Sequence, residues 1–161
     1  MRGYTGKTAF IDLSRGKAFV KPLDESFSRD FLGGLGFCVK LIYDLTSVET
    51  DPLSPENPLI FASGPVTGTL WPGSGRLEVA AKSPLTGLIG YSNAGGHFSP
   101  FLKYAGFDFI VITGRASSPV YLLLDNGRVE IRDASSLWGR NTWETEDFLS
   151  VSYTHLTLPT T

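Results

Sequence analysis

Gly64 to Lys103 reads GPVTGTLWPGSGRLEVAAKSPLTGLIGYSNAGGHFSPFLK. Glycines punctuate it at Gly64, Gly68, Gly73, Gly75, Gly87, Gly90, Gly95 and Gly96, and before Lys103 its only cations are Arg76 and Lys82. Glycine loses more backbone entropy on folding than any other residue, so this density signals tight turns or close approach of the main chain to something else. Between the glycine clusters, residues 76–82 (RLEVAAK) alternate as a strand with Leu77, Val79 and Ala81 on one face, and residues 88–92 (LIGYS) suit another strand. Ser99 to Ala105, after the Gly95-Gly96 pair, suits a helical turn or two. Bare backbone N–H groups beside isolated cations make a surface that can cradle an anion such as a phosphate.

Working outward, residues 59–63 (LIFAS) form a short apolar strand after the proline-rich loop Asp51 to Pro58, and residues 107–113 (FDFIVIT) form a buried strand closed by Gly114. At the N-terminal end, residues 8–13 and 17–21 flank the turn Ser14-Arg15-Gly16, which predicts a β-hairpin. Asp24-Glu25-Ser26 then opens a helix over about residues 25–32, and Gly33-Gly34 interrupts it. Residues 36–45 carry helical apolar spacing at Phe37, Leu41 and Leu45, with Val39 and Ile42 beside them. The pattern returns at the far end: residues 119–124 and 128–132 flank Asp125-Asn126-Gly127, and a helix is expected from about Thr142 to Leu149. We read this as a degenerate internal duplication. The expected fold is α+β, a β-rich domain over residues 1–150 with two related halves, each a hairpin or sheet plus a helix. Residues 151–161 (VSYTHLTLPTT) lack the preceding texture and are read as a foreign tail, so His155 receives no role.

With 161 residues, 42% of them hydrophobic and 19% charged, the chain can bury one core. A net charge of −2 provides no basic face for duplex nucleic acid. Cys38 is the only cysteine, which excludes a disulfide framework and any cysteine-built metal or cluster site within this chain; it reads as a buried small residue. The opening MRGYTGKTAF has no signal-peptide apolar core, and no run approaches the roughly 18 apolar residues that cross a bilayer. The expected location is cytoplasmic, without a membrane partner.

Several residues could carry chemistry. Arg76, after Gly73-Ser74-Gly75, is either an anion or heterocycle contact through its forked donors or a solvated strand end. Asn93 reads most simply as a helix N-cap, with a magnesium and phosphate contact as the functional alternative. His97 has no second histidine at ligand spacing. Trp138 and Trp143 read as packing, whereas Trp71, beside Pro72 in a glycine loop, could line a pocket. There is no nucleophile elbow, and no Gly-Lys-Ser/Thr ending marks a Walker A loop.

Taken in order, several blocks resemble one family. They are Asp51-Pro52-Leu53-Ser54-Pro55-Glu56-Asn57, Gly64-Pro65-Val66-Thr67-Gly68-Thr69, Gly75-Arg76, Lys82-Ser83-Pro84-Leu85-Thr86-Gly87, Ser92-Asn93-Ala94-Gly95-Gly96, Leu102-Lys103-Tyr104-Ala105-Gly106-Phe107-Asp108, and Ile131 to Gly139. From about Gly3 to Leu149 the chain resembles the N-terminal domain of the aldehyde ferredoxin oxidoreductases, tungsten or molybdenum enzymes with a bis-pyranopterin cofactor. The resemblance implies an α+β domain of two related halves beneath the pterins. It also implies oxidation of an aldehyde to a carboxylic acid, with ferredoxin as electron acceptor and the metallocofactor carrying the hard chemistry. By resemblance Arg76 contacts a pterin, and Asn93 lies at the magnesium that links the pterin phosphates. Ala94, Gly95 and Gly96 bring backbone to the cofactor, and His97 is a pocket residue beside them. No catalytic residue is carried over. Many relatives have a basic residue where Leu35 stands, so no pterin role is carried to that turn.

The same family ligates a 4Fe–4S cluster with cysteines of later domains, which Cys38 alone cannot replace. The chain is therefore expected to be a truncated piece, inactive by itself, of an enzyme that is active at full length. A homo-oligomer is left open. Two other readings stand beside this one: a relative acting on another substrate, as in aromatic acyl-thioester reduction, and a non-catalytic β-rich binding or assembly module.

Overall fold

The computed structural model describes residues 2–152, so residues 153–161 of the expected tail lie outside the described residues. The elements are β1 (Lys7–Asp12), β2 (Lys17–Pro22), α1 (Glu25–Phe31), α2 (Leu35–Leu45), β3 (Leu59–Ser63), β4 (Leu77–Lys82), β5 (Ile89–Ala94), α3 (Phe98–Tyr104), β6 (Phe109–Thr113), β7 (Val120–Asp125), β8 (Arg128–Asp133) and α4 (Thr142–Ser152). Six strands form one sheet in the order β2-β1-β6-β3-β4-β5, and β7-β8 form a separate two-stranded sheet. β1 and β6 run parallel, whereas every other neighbouring pair is antiparallel.

Strand alternation places side chains on both faces of the large sheet, and both faces are covered. On one face, Ile60, Ala62, Ala80, Phe109 and Val111 meet Phe37, Cys38, Leu41 and Ile42 of α2. Phe27 of α1 stacks on Phe37 at 4.8 Å between ring centroids, and Phe109 meets Phe37 edge-on at 5.5 Å. On the other face, Ala9, Ile11, Leu77 and Ile110 pack with Leu102 of α3 and with Leu122, Leu124, Val129 and Ile131 of the β7-β8 hairpin. This is the expected α+β architecture. The hairpin-then-helix unit recurs at both ends, but its settings differ: β1-β2 is built into the large sheet through the parallel β1-β6 pairing, and β7-β8 lies against that sheet's face.

Local chemistry accounts for the helix boundaries. Asp24 caps α1 by accepting from Phe27 N at 2.7 Å, and the Ser26 hydroxyl first and this backbone bond second hold its carboxyl below the ordinary value. Leu32 (φ 60°), Gly33 (φ 145°) and Gly34 (φ 53°) reverse the chain between α1 and α2. The buried stripe of α2 is Phe37, Cys38, Leu41 and Ile42; Val39 and Leu45 are 46% and 43% exposed, so the expected Phe37–Leu41–Leu45 face is corrected at its last member. Leu45 is the final helical residue, followed by the C-cap Thr46.

A second structural device holds the N-terminus. Asp108 is fully buried and accepts from Thr5 N (3.1 Å), Thr5 Oγ1 (2.9 Å), Gly6 N (2.8 Å) and Lys103 Nζ (2.7 Å), and Lys103 also donates to the Gly3 carbonyl at 2.7 Å. Residues 3–6 are thereby tied to the junction of α3 and β6.

Candidate functional site

Four turns meet at one end of the large sheet: Gly33-Gly34 before α2, the loop from Gly64 to Arg76 between β3 and β4, the Gly95-Gly96 turn after β5, and the start of α3. Gly34 N donates to the Ser63 carbonyl at 2.9 Å, which fastens the first turn to the end of β3. Gly75 and Gly96 approach so closely that a Cβ on Gly75 would stand 2.9 Å from the Gly96 carbonyl oxygen. Only glycine fits that contact. A Cβ on Gly95 or Gly96 would meet nothing within 4 Å, so the backbone of this turn faces open space.

Arg76 and Asn93 are brought together here. Arg76 is exposed, and its Nη1 donates to Asn93 Oδ1 across the β4-β5 pair. Its carbonyl accepts from Ser99 Oγ at 3.0 Å, which anchors the strand entrance to α3. Among the described residues no carboxylate forms an ion pair with Arg76. An exposed guanidinium, held by an amide and flanked by bare backbone, has the donor chemistry to bind a phosphate or a planar heterocycle.

The other expected site residues divide. Gly95 and Gly96 adjoin the Arg76–Asn93 pair in the chain. Ala94 pairs with Leu77, one position on from the Asn93–Glu78 pair, so its methyl lies on the opposite sheet face from the Asn93 side chain. His97 is exposed at the N-cap of α3, makes no side-chain cap bond, and lies 6.3 Å from the Phe101 ring. Asn93 is inside β5, which overturns its plain reading as a helix cap: cross-strand pairing carries the chain four residues farther before α3 begins. Trp71 is 69% exposed in a turn held by Ser74 N to the Trp71 carbonyl and Ser74 Oγ to the Thr69 carbonyl.

Lys82 does not belong to this surface. It is buried at the far end of β4, where Nζ donates to the carbonyls of Ser47 (2.9 Å), Val48 (2.9 Å) and Thr50 (2.8 Å). Pairing Lys82 with Arg76 as loose cations is therefore corrected, because three carbonyls satisfy all three ammonium donors.

Glu78 is the residue that sequence reasoning missed. It sits directly opposite Asn93 in the β4-β5 register and two residues after Arg76. Its Oε2 is buried without a hydrogen-bond partner. Desolvation raises its carboxyl above the ordinary value, and Arg76 pulls in the other direction. Glu78 in turn reaches Cys38, whose thiol is pushed up to about 12, first by burial and then by this negative neighbour. The available signal was a lone carboxylate between Leu77 and Val79, two residues after Arg76.

No group of three or more His, Cys, Asp or Glu side chains among the described residues could hold a metal by itself. No helix among them is long and apolar enough to cross a membrane.

Comparison with known proteins places these features in context. The family model for the aldehyde ferredoxin oxidoreductase N-terminal domain matches residues 8–158. The chain is 46% identical over 149 residues to a tungsten-containing aldehyde ferredoxin oxidoreductase of Pyrococcus horikoshii, covering 92% of this chain and 24% of that protein. It is 37% identical over 142 residues to the WOR-like subunit of an aliphatic sulfonate oxidoreductase of Pyrococcus furiosus, covering 86% of this chain and 22% of that protein. The active-site complex BamBC of benzoyl coenzyme A reductase, solved with 1,5-dienoyl-CoA, superposes with a TM-score of 0.92 at 38% identity, covering 97% of this chain and 24% of that one. The chain thus spans about a quarter of the length of these relatives.

Proposed function

Because the chain belongs to the aldehyde ferredoxin oxidoreductase family, matching its N-terminal domain, we propose that the end of the sheet around Arg76 and Asn93 is a seat for a phosphorylated pyranopterin of a tungsten cofactor. One observation carries this reading: the Arg76 guanidinium is exposed, unpaired with any carboxylate among the described residues, and held by Asn93 beside the open backbone of Gly95 and Gly96. The residues present fit such a group. The guanidinium and bare N–H groups suit phosphate, and the glycine turn leaves room where side chains would intrude.

In this reading Arg76 binds and orients, Asn93 holds the guanidinium and offers oxygen toward a magnesium shared with phosphate, and Gly95-Gly96 admits the cofactor's edge. Ala94 and His97 flank the contact. When bound, the metallocofactor supplies the redox chemistry, and this chain contributes placement and charge. The full-length protein would be an oxidoreductase that converts an aldehyde to a carboxylic acid and passes electrons to ferredoxin, with any iron–sulfur cluster ligated outside this chain. A relative named for benzoyl coenzyme A reduction supports a second reading, in which the same seat serves another substrate.

The test is Arg76→Ala in the full-length protein. The expected result is loss of most tungsten and releasable pterin from the purified protein, with the thermal midpoint of the metal-free form unchanged. Unaltered tungsten and pterin content would remove the seat from Arg76.

A further inference from the structure

Arg76 has two acceptors within its surroundings. It takes one, Asn93 Oδ1, and leaves the other, the Glu78 carboxylate, with a buried oxygen that has no partner. Strand alternation puts residues 76 and 78 on one face, and the register sets Asn93 directly across from Glu78, so the three side chains converge. The Gly33-Gly34 turn lies against the same side chain: a Cβ on Gly34 would stand 3.4 Å from Glu78 Cγ. Carboxylate and guanidinium form a strong, geometrically matched pair. A buried carboxylate oxygen left without one is costly, and such a group in a native fold calls for an account.

We infer that Glu78 is a positioning residue for Arg76: its carboxylate competes with an incoming anion for the guanidinium and so sets how tightly the seat holds that anion. The inference rests on the seat proposed above and deepens it. Without Glu78 the guanidinium has only the neutral Asn93 amide to leave, and an anion meets an unopposed positive charge. With Glu78 present, that neighbouring carboxylate already offsets part of the guanidinium's charge, and an anion gains less from it. The site's strength for phosphate is then a difference between two charge interactions, and residue 78 adjusts it without touching the ligand.

The experiment measures inorganic pyrophosphate binding to the metal-free full-length protein by calorimetry at pH 8 and fixed ionic strength. It compares the parent, Glu78→Gln, Glu78→Asp, Arg76→Ala and the double variant Arg76→Ala/Glu78→Gln. The expected result is that Glu78→Gln tightens pyrophosphate binding by about three- to fivefold, the size of an exposed charge coupling, and that Glu78→Asp restores parental affinity. In the Arg76→Ala background the Gln substitution should have no effect. Equal affinity of Glu78→Gln and parent, with Arg76→Ala weakened, overturns this inference and leaves the seat standing. The same tightening without Arg76 also overturns it, because the carboxylate would then act directly on the anion. Pyrophosphate binding that is absent, or indifferent to Arg76→Ala, removes the seat and this inference together.

Discussion

Replacing Asp108 by alanine tests the internal support of the domain. The carboxylate is fully buried, and its ion pair with Lys103 Nζ spans 2.7 Å between side chains exposed by 7% (Lys103) and 1% (Asp108). Deleting one partner of such a pair leaves a buried charge uncompensated, at about 3–5 kcal/mol. The remaining donors, Thr5 N, Thr5 Oγ1 and Gly6 N, lie in partly buried positions that water can reach, so they add less. The expected loss is therefore about 4 kcal/mol, a large part of the roughly 5–15 kcal/mol that holds a domain together. Urea unfolding followed by far-UV circular dichroism, with hydrogen exchange at Thr5 and Gly6, measures the total and the local release. Removing both charges in Asp108→Ala/Lys103→Met should cost less than Asp108→Ala alone, since no stranded ammonium remains. A loss below about 1 kcal/mol for Asp108→Ala, or a double variant that costs the sum of the two singles, would refute the argument.

Lys82→Met should release the loop at residues 47–50, because the ammonium that gathers its three carbonyls is gone. The expected cost is about 2–3 kcal/mol, with faster limited proteolysis of that loop; parental cleavage rates would contradict the clamp. The Cys38 thiol should resist alkylation in the folded protein and react on unfolding, since burial and Glu78 hold it protonated. Its folded pKa lies above the unfolded one, so its contribution to stability is fully present below the ordinary thiol range. That contribution is lost as pH rises from about 8.5 toward about 12. A Cys38→Ala variant should show less alkaline destabilisation than the parent, and an unchanged pH dependence would count against this assignment.

The order and type of the elements were legible because each is a local pattern. The turn Asp125-Asn126-Gly127 supplies two positive-φ residues, Asn126 and Gly127, where a tight hairpin needs them. The apolar run in residues 107–113 marks a buried strand wherever it pairs. Arg76 and the Gly95-Gly96 turn stood out as unusual chemistry in a sparsely charged segment. Glu78 and Asp108 did not, and Lys82 stood out for the wrong reason, because their significance lies in partners distant in the chain, such as Thr5 for Asp108, the carbonyls of residues 47–50 for Lys82 and Asn93 for Glu78. The plain reading of Asn93 as a cap, which the family resemblance set aside, fails for a related reason: a short polar residue before a helix and one near the end of an edge strand look alike until the pairing strand is known.

By itself the sequence established that strands and helices would alternate around one core, that a glycine-rich segment carrying Arg76 and Lys82 lay within it, and which family's blocks run through it. Periodicity and turn chemistry act over a few residues, so the chain states them directly. Tertiary structure alone decided that β1 pairs with β6 across about 100 residues, that Lys82 is spent on a loop, and that Arg76 chooses Asn93 over Glu78. Those outcomes depend on which distant groups share a small volume and on which charges lose their water there, and neither is a property of any local stretch.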